Sequence, residues 1–273
     1  MVSWYILPIS ICVAFLAMAA AKYIQNSEVW NLYWYERCGV DNSRFWSRFE
    51  GKPEFRNKVV LDVGCGHGRL CLDMARGGAT KVLGIDIDDS LISFARLHLA
   101  TYYPEWRSVV SFECGDIKFL PDNTFDLVVS KDVFEHVVGL KGMLRDIRRC
   151  LKPGGRLYAG FGPLYNSPNG YHLRAHFCLP WGHLLIPRSW HLRLVNLWRK
   201  EPVQSLYEVV TLNELFFADY ERIILSSGMS MVSFRVNQGN SVISKILSFF
   251  RRVPFLREYC THNIYCVMEK QGK

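Results

Sequence analysis

The chain has 273 residues, 49% hydrophobic and 21% charged, enough apolar material for one packed domain of about 200–250 residues and too little chain for two large ones. A disordered chain, a collagen-like repeat and a disulfide-stapled mini-protein are excluded. The net charge of +8 sits mostly in residues 164–273, with thirteen basic against seven acidic residues, while 58–163 is nearly balanced at fourteen and thirteen; a uniformly basic nucleic-acid binder is not patterned this way.

In chain order, Trp4 to Ala21 form an uncharged, mostly apolar run closed by Lys22. Eighteen residues at about 1.5 Å each come to about 27 Å, enough to cross a thin hydrocarbon core. Three readings fit residues 1–22: a membrane anchor, a cleaved leader ending near Ala19-Ala20-Ala21, and an apolar helix packed on the domain. The lack of any basic residue before the run counts against a leader. The anchor is favoured, and Lys22 then places the rest of the chain on the cytoplasmic side of a membrane; the alternative location is simply cytoplasmic. Residues 23–57, rich in Trp and Tyr, read as one or two short cap helices.

Residues 58–273 read as the main domain, in which strands and helices alternate at first. Val59–Val63 is an apolar run suited to a strand buried on both faces. A helix is expected over 68–77, a strand at Lys81–Ile87 and a helix over 90–101. Further strands are expected at Val109–Glu113, Phe125–Ser130 and Arg156–Phe161, with a helix near 140–151 and a turn at Pro153-Gly154-Gly155. Residues 164–210 interrupt the rhythm as an insert. Beyond it, 211–228 reads as helix, Met231–Val236 as extended, 242–259 as basic and amphipathic, and Asn263–Glu269 as a last strand. Such alternation implies an α/β fold with a doubly wound sheet. The nine cysteines are scattered without a CxxC pair, so reduced core thiols are expected rather than zinc or disulfides.

The strongest chemical signal is LDVGCGHGRL, residues 61–70, directly after the first strand. Gly64, Gly66 and Gly68 allow a tight turn and close approach to a ligand, and the helix beginning there presents free N–H groups. The spacing is GxGxG rather than the dinucleotide GxGxxG, which argues against a nicotinamide oxidoreductase. In VLGIDID, 82–88, Asp86 ends the second strand 22 residues after Gly64, where a carboxylate can accept from both hydroxyls of a ribose. Asp88 and Asp89 are better placed to cap the next helix.

With Gly115-Asp116-Ile117, FDLVVSKDVFEHV at 125–137 and LKPGGRLY at 151–158, the chain resembles the class I S-adenosylmethionine-dependent methyltransferases, in particular the small-molecule group with a type 11 domain. The resemblance implies a Rossmann-like, seven-stranded, mostly parallel sheet, here with an apolar N-terminal helix and an inserted lid. It implies S-adenosylmethionine as cofactor, with Asp62, Gly64, Cys65, Gly66 and Gly68 around the methionine portion. Asp86, followed by Ile87, takes the ribose, Asp116 and Ile117 the adenine, and Ser130 and Lys131 lie beside the sulfonium. Intact glycines and Asp86 argue against a catalytically silent binding subunit.

Methyl transfer needs alignment and exclusion of water, and a base only when the acceptor is a hydroxyl or similar acid. His136 and His172 are candidate bases, with a structural role for His136 as the alternative. Glu135 suits a backbone or cofactor-amine partner. His172 and His176 have i,i+4 spacing, but no Glu completes HExxH and His183 and His191 add little, so no metal is expected. The basic-aromatic mixture of the insert, including Trp181, Arg188, Trp190, Arg193, Trp198, Arg199 and Lys200, fits either an interfacial surface facing anionic lipid or a lid with buried tryptophans. The expected acceptor is a small or lipid-linked molecule methylated on oxygen, with C-methylation of a quinone-like ring second. The expected partners include a membrane surface and exclude nucleic acid, since no NPPY-like tetrad follows the fourth strand.

Overall fold

The computed structural model describes residues 28–49, 51–170, 180–197, 202–205, 212–239 and 242–272. The apolar segment 1–22, His172 and His176, and Trp198 to Lys200 lie outside these residues. Among the described residues no helix is long and apolar enough to cross a membrane.

The central strand β1 (Val59–Val63) runs parallel to β2 (Lys81–Asp86) on one side and β4 (Phe125–Lys131) on the other. β3 (Val110–Cys114) pairs with β2, and β5 (Leu151–Phe161) with β4, all parallel. The last two strands, β6 (Ser230–Val236) and β7 (Ile264–Glu269), complete a seven-stranded sheet of order β3-β2-β1-β4-β5-β7-β6. β7 is antiparallel to both of its neighbours, which explains the end of the chain that strand–helix alternation did not.

Both faces of the sheet are covered. Leu61, Val63, Val128, Leu157, Ala159, Cys266 and Met268 join one apolar cluster, while Val60, Leu127, Val129, Tyr158, Tyr265 and Val267 join the other. Successive strand residues point to opposite faces, so a run that is apolar throughout has to be buried twice. Helices α4 (Leu140–Cys150) and α7 (Phe217–Leu225) supply the first cluster. Helices α2 (Arg69–Arg76) and α3 (Asp89–Tyr102) supply the second.

Among the described residues of the cap region there is one 20-residue helix, α1 (Glu28–Ser47). Its C-terminal end buries Phe45 and Trp46; Trp46 packs edge-on against Tyr158, Phe45 lies tilted against Tyr265, and Phe49 meets both tyrosines edge-on at 5.6 and 5.3 Å. Each such aromatic contributes about 2–3 kcal/mol of burial, which fixes the helix across the sheet.

Two expected boundaries shift. Pro153-Gly154-Gly155 is a bulge inside β5 rather than a turn before it, because the register jumps from Phe125↔Leu151 to Leu127↔Arg156 and the Gly154 N–H donates to the Lys270 carbonyl at 2.8 Å. The helix expected from 211 begins only at Phe217: the Asn213 side chain is committed to the Phe134 and Val137 carbonyls, at 2.7 and 2.9 Å, which holds this stretch extended. In the insert, α5 (Gly182–Leu185) and α6 (Arg188–Asn196) are short. Trp181 donates to the Tyr259 carbonyl at 3.1 Å, while Trp190 is exposed. The two described tryptophans of the insert thus differ, one tied down by a hydrogen bond and one exposed, while Trp198 lies outside the described residues. After β6 comes the last helix, α8 (Val242–Phe250).

Candidate active site

The parallel strands end on one edge, and the turn after β1 lies there. Gly64 and Gly68 have φ of 74° and 81°, and Gly68 sits at the N-cap of α2. No side chain fits at either: a Cβ at Gly64 would lie 2.3 Å from Val133 Cγ2, and one at Gly68 2.4 Å from Phe112 Cζ. Gly66 differs, because a Cβ there would meet nothing within 4 Å. Its backbone faces open space.

Two cavities flank this turn. A cleft of about 660 Å³ is lined by Gly64, Asp86, Ile87, Asp116, Ile117 and His136, among others. A smaller one of about 210 Å³ is lined by Asp62, Gly64, Cys65, Gly66, Lys131 and, from α1, by Trp34, Cys38, Asp41 and Asn42. Gly64 and Asp132 border both, so the two adjoin and together line a groove along the strand ends.

Asp86 is held by the turn it faces: its carboxylate accepts from the Gly66 N–H at 2.9 Å and the Asp88 N–H at 3.0 Å, leaving lone pairs on both oxygens. Asp116 caps the short turn 117–119 through the Lys118 N–H at 3.0 Å, and that bond lowers its pKa. Asp88 caps α3, as its position after the strand suggested. Ile87 is 85% exposed and Val138 72% exposed, both on the wall of the larger cleft. Such uncovered aliphatic groups inside a concavity suit a flat apolar ligand.

Asp62 is buried, its carboxyl 3.3 Å from the Cys71 thiol, and desolvation pushes its pKa up to about 7 despite Lys131. Desolvation likewise pushes Asp132 up to about 6 against the pull of Lys131 and Arg48; its backbone is left-handed, with φ 55°. An acid whose folded pKa is raised keeps its proton after the unfolded chain has released it near pH 4. The folded state then loses stability as pH climbs from about 4 to about 7. Asp62→Asn, which keeps the neutral shape, is therefore expected to flatten that decline. Urea midpoints at pH 5 and pH 8 measure it, and an unaltered difference between the two pH values would show that Asp62 is ionised in the folded protein.

Lys131 and Ser130 part company. Lys131 reaches the smaller cavity and donates to Asn42 Oδ1 at 3.0 Å. Ser130 is buried, and its hydroxyl donates to the Val63 carbonyl at 3.2 Å, a tie between β4 and β1 rather than a group facing ligand. Glu135 is a backbone partner: it is buried, accepts from the Gly162 N–H at 3.0 Å, and burial raises its pKa well above the usual range. It thereby fixes the turn that carries His136 into the cleft. His183 and His191 are buried within the insert, where desolvation lowers both pKa values; the His183 ring meets the Tyr165 carbonyl at 2.6 Å. These two belong to the packing of the insert.

Reading motifs missed the contribution of α1. Trp34, Cys38, Asp41 and Asn42 stand at i, i+4, i+7 and i+8, one face of a helix, and that spacing was the available signal. His67 was missed too: it lines the smaller cavity, with its ring 3.2 Å from Asn31 Oδ1.

Residues 54–161 match the model of a methyltransferase domain. The chain is 31% identical to a ubiquinone biosynthesis O-methyltransferase of Idiomarina loihiensis over 180 residues, 62% of this chain and 69% of that protein. The chain belongs to the class I S-adenosylmethionine-dependent methyltransferases. A ubiquinone biosynthesis O-methyltransferase of Neisseria meningitidis serogroup C is 34% identical over 125 residues, 45% of this chain, so the chain spans about half the length of that relative. An S-adenosylmethionine-dependent methyltransferase structure from Mesorhizobium loti shares the fold, with a TM-score of 0.54 and 16% identity over 83% of this chain and 96% of that one. The cofactor of the family fits this methyltransferase on its own geometry: an open glycine backbone, a carboxylate with unused lone pairs 20 residues further on, and apolar side chains left uncovered in the cleft beyond it.

Proposed function

We propose that this protein transfers the methyl group of S-adenosylmethionine to an oxygen of a lipid-linked hydroxyl acceptor of the quinone-precursor type, leaving S-adenosylhomocysteine. The observation that carries the reading is the pair of adjoining cavities, each bordered by Gly64 and Asp132. The relatives named as O-methyltransferases support oxygen over carbon. The run Trp4 to Ala21 supports an acceptor that resides in a membrane, with the protein on its cytoplasmic side.

In this reading Asp86 accepts from the ribose hydroxyls, and Ile87, Asp116 and Ile117 border the adenine. The 64–68 turn, with Asp62 and Lys131 behind it, borders the methionine portion. The bound sulfonium supplies an electrophilic methyl group. With cofactor and acceptor bound, His136, which lines the larger cleft, would take the acceptor's hydroxyl proton as the methyl group passed to that oxygen and the thioether product was released. Apolar side chains along the cleft, Ile87 and Val138 among them, would limit water there once ligands are bound, so that water does not compete with the acceptor as nucleophile.

The test incubates the full chain with methyl-labelled S-adenosylmethionine and a short-chain prenylated catechol. Label is expected on one ring oxygen. His136→Asn is expected to lower kcat by about 100-fold or more, the usual worth of a general base, with cofactor affinity unchanged. Unaltered kcat removes His136 from the chemistry; label on carbon, or no turnover, overturns the reading itself.

A further inference from the structure

Helix α8 and the turn after it carry an apolar stripe that the described protein does not cover. Val242, Ile246, Phe249, Phe250 and Val253 stand at i, i+4, i+7, i+8 and i+11, all exposed, and Phe255 beyond them is 74% exposed. Among the described side chains of the helix, Leu247, beside the stripe, is the buried one. A contiguous apolar patch of this kind on a folded domain marks an interaction surface.

Charge identifies the partner. From Glu221 to Glu258 the chain has no acidic residue between them and six basic ones. Arg251 and Arg257 are engaged by Thr261 and Glu221. Lys245 and Arg252 are exposed beside the stripe and have no carboxylate partner among the described residues. Aromatic and aliphatic groups flanked by uncompensated cations match an anionic bilayer, where acyl chains receive the first and headgroups the second.

Topology puts this surface where it is useful. Val236 and Phe161 both pair with Ile264, so β6 ends on the same edge of the sheet as β5, and α8 follows β6 there. The segment after α8 then runs to His262 and Asn263, which line a cavity of about 230 Å³ together with Lys131 and Asp132 of the groove. We propose that residues 242–257 form an interfacial surface that docks on anionic lipid and presents the groove to a membrane-resident acceptor. The proposal rests on the lipid-linked reading above for its purpose, and its own test requires no turnover.

Hydrogen exchange of the full chain is measured alone, with vesicles of equal parts phosphatidylglycerol and phosphatidylcholine, and with vesicles of phosphatidylcholine. Peptides within 242–257 are expected to slow at least about tenfold with the anionic vesicles only. Vesicle affinity is expected to fall at least about tenfold in Phe249→Ser/Phe255→Ser and about fivefold for each of Lys245→Gln and Arg252→Gln. Binding of vesicles without slowing in 242–257 overturns the proposal, because another segment, such as 4–21, then makes the contact. Slow exchange already present without lipid also overturns it, since the stripe is then covered by this chain or a second copy. Equal slowing on both vesicles overturns the charge argument and with it the choice of partner. Slowing without methylation of the prenylated catechol retains the surface and rejects the acceptor, and methylation without slowing does the reverse.

Discussion

Asp86→Ala is expected to weaken binding of S-adenosylmethionine and S-adenosylhomocysteine by at least about 100-fold, measured by titration calorimetry on the full chain. The Asp86 carboxylate sits at the end of β2 and accepts one backbone N–H on each oxygen, from Gly66 and Asp88. Both oxygens keep capacity for the two hydroxyls of a ribose. Hydrogen bonds to a charged acceptor contribute about 1.5–3 kcal/mol each, so losing two costs about 3–6 kcal/mol. Alanine also releases the Gly66 N–H and with it one restraint on the glycine turn. Asp86→Asn keeps the shape with one acceptor and is expected to fall between the two. Wild-type affinity in Asp86→Ala would place the ribose elsewhere in the groove.

Gly68→Ala is expected to destabilise the fold by about 2–5 kcal/mol, read as a lower urea midpoint or a lower Tm. Two costs add at this residue. The left-handed backbone, φ 81°, costs an L-residue about 1–2 kcal/mol. The new methyl would meet Phe112 Cζ at 2.4 Å and Ala95 Cβ at 3.2 Å, and overpacking of that kind costs about 1–3 kcal/mol. Phe112 belongs to β3 and to the apolar cluster under α3, so its ring cannot swing into solvent without opening that layer. Gly115→Ala is the contrast. Its backbone is ordinary, a Cβ there meets nothing within 4 Å, and the residue lines the larger cleft. That variant is expected to keep the wild-type midpoint and lose cofactor affinity. Equal stability of the two variants would show that the 64–68 turn relaxes freely, and the close packing around it would then have no energetic weight.

Both variants act on residues that the motifs pointed to, and the reason they did is local. A strand buried on both faces has to read as an unbroken apolar run, as Val59–Val63 does, and a sharp strand-to-helix turn beside a ligand has to use glycine. The acidic residue ending the second strand is equally a matter of short-range order. Asp62, Gly64, Cys65, Gly66, Asp86, Ile87, Asp116, Ile117 and Lys131 all border the groove for that reason. Ser130 does not, although it lies within the same motif. Whether its hydroxyl met ligand or the Val63 carbonyl depended on how closely β1 and β4 approach.

The sequence by itself determined the α/β class, the alternation of the first five strands with helices, the glycine turn and its acidic partner. Each rests on periodicity or on backbone demands within a few residues. Only the tertiary structure decided that α1 lends Trp34, Cys38, Asp41 and Asn42 to the groove, that β7 enters antiparallel, and that burial lifts Asp62 towards neutrality. It also decided that Val242, Ile246, Phe249 and Phe250 of α8 face outward beside Lys245 and Arg252, which have no carboxylate partner among the described residues. Those outcomes depend on which distant segments meet. A helix's own period states that it has an apolar face, while the contacts of the whole chain settle what that face is left to touch.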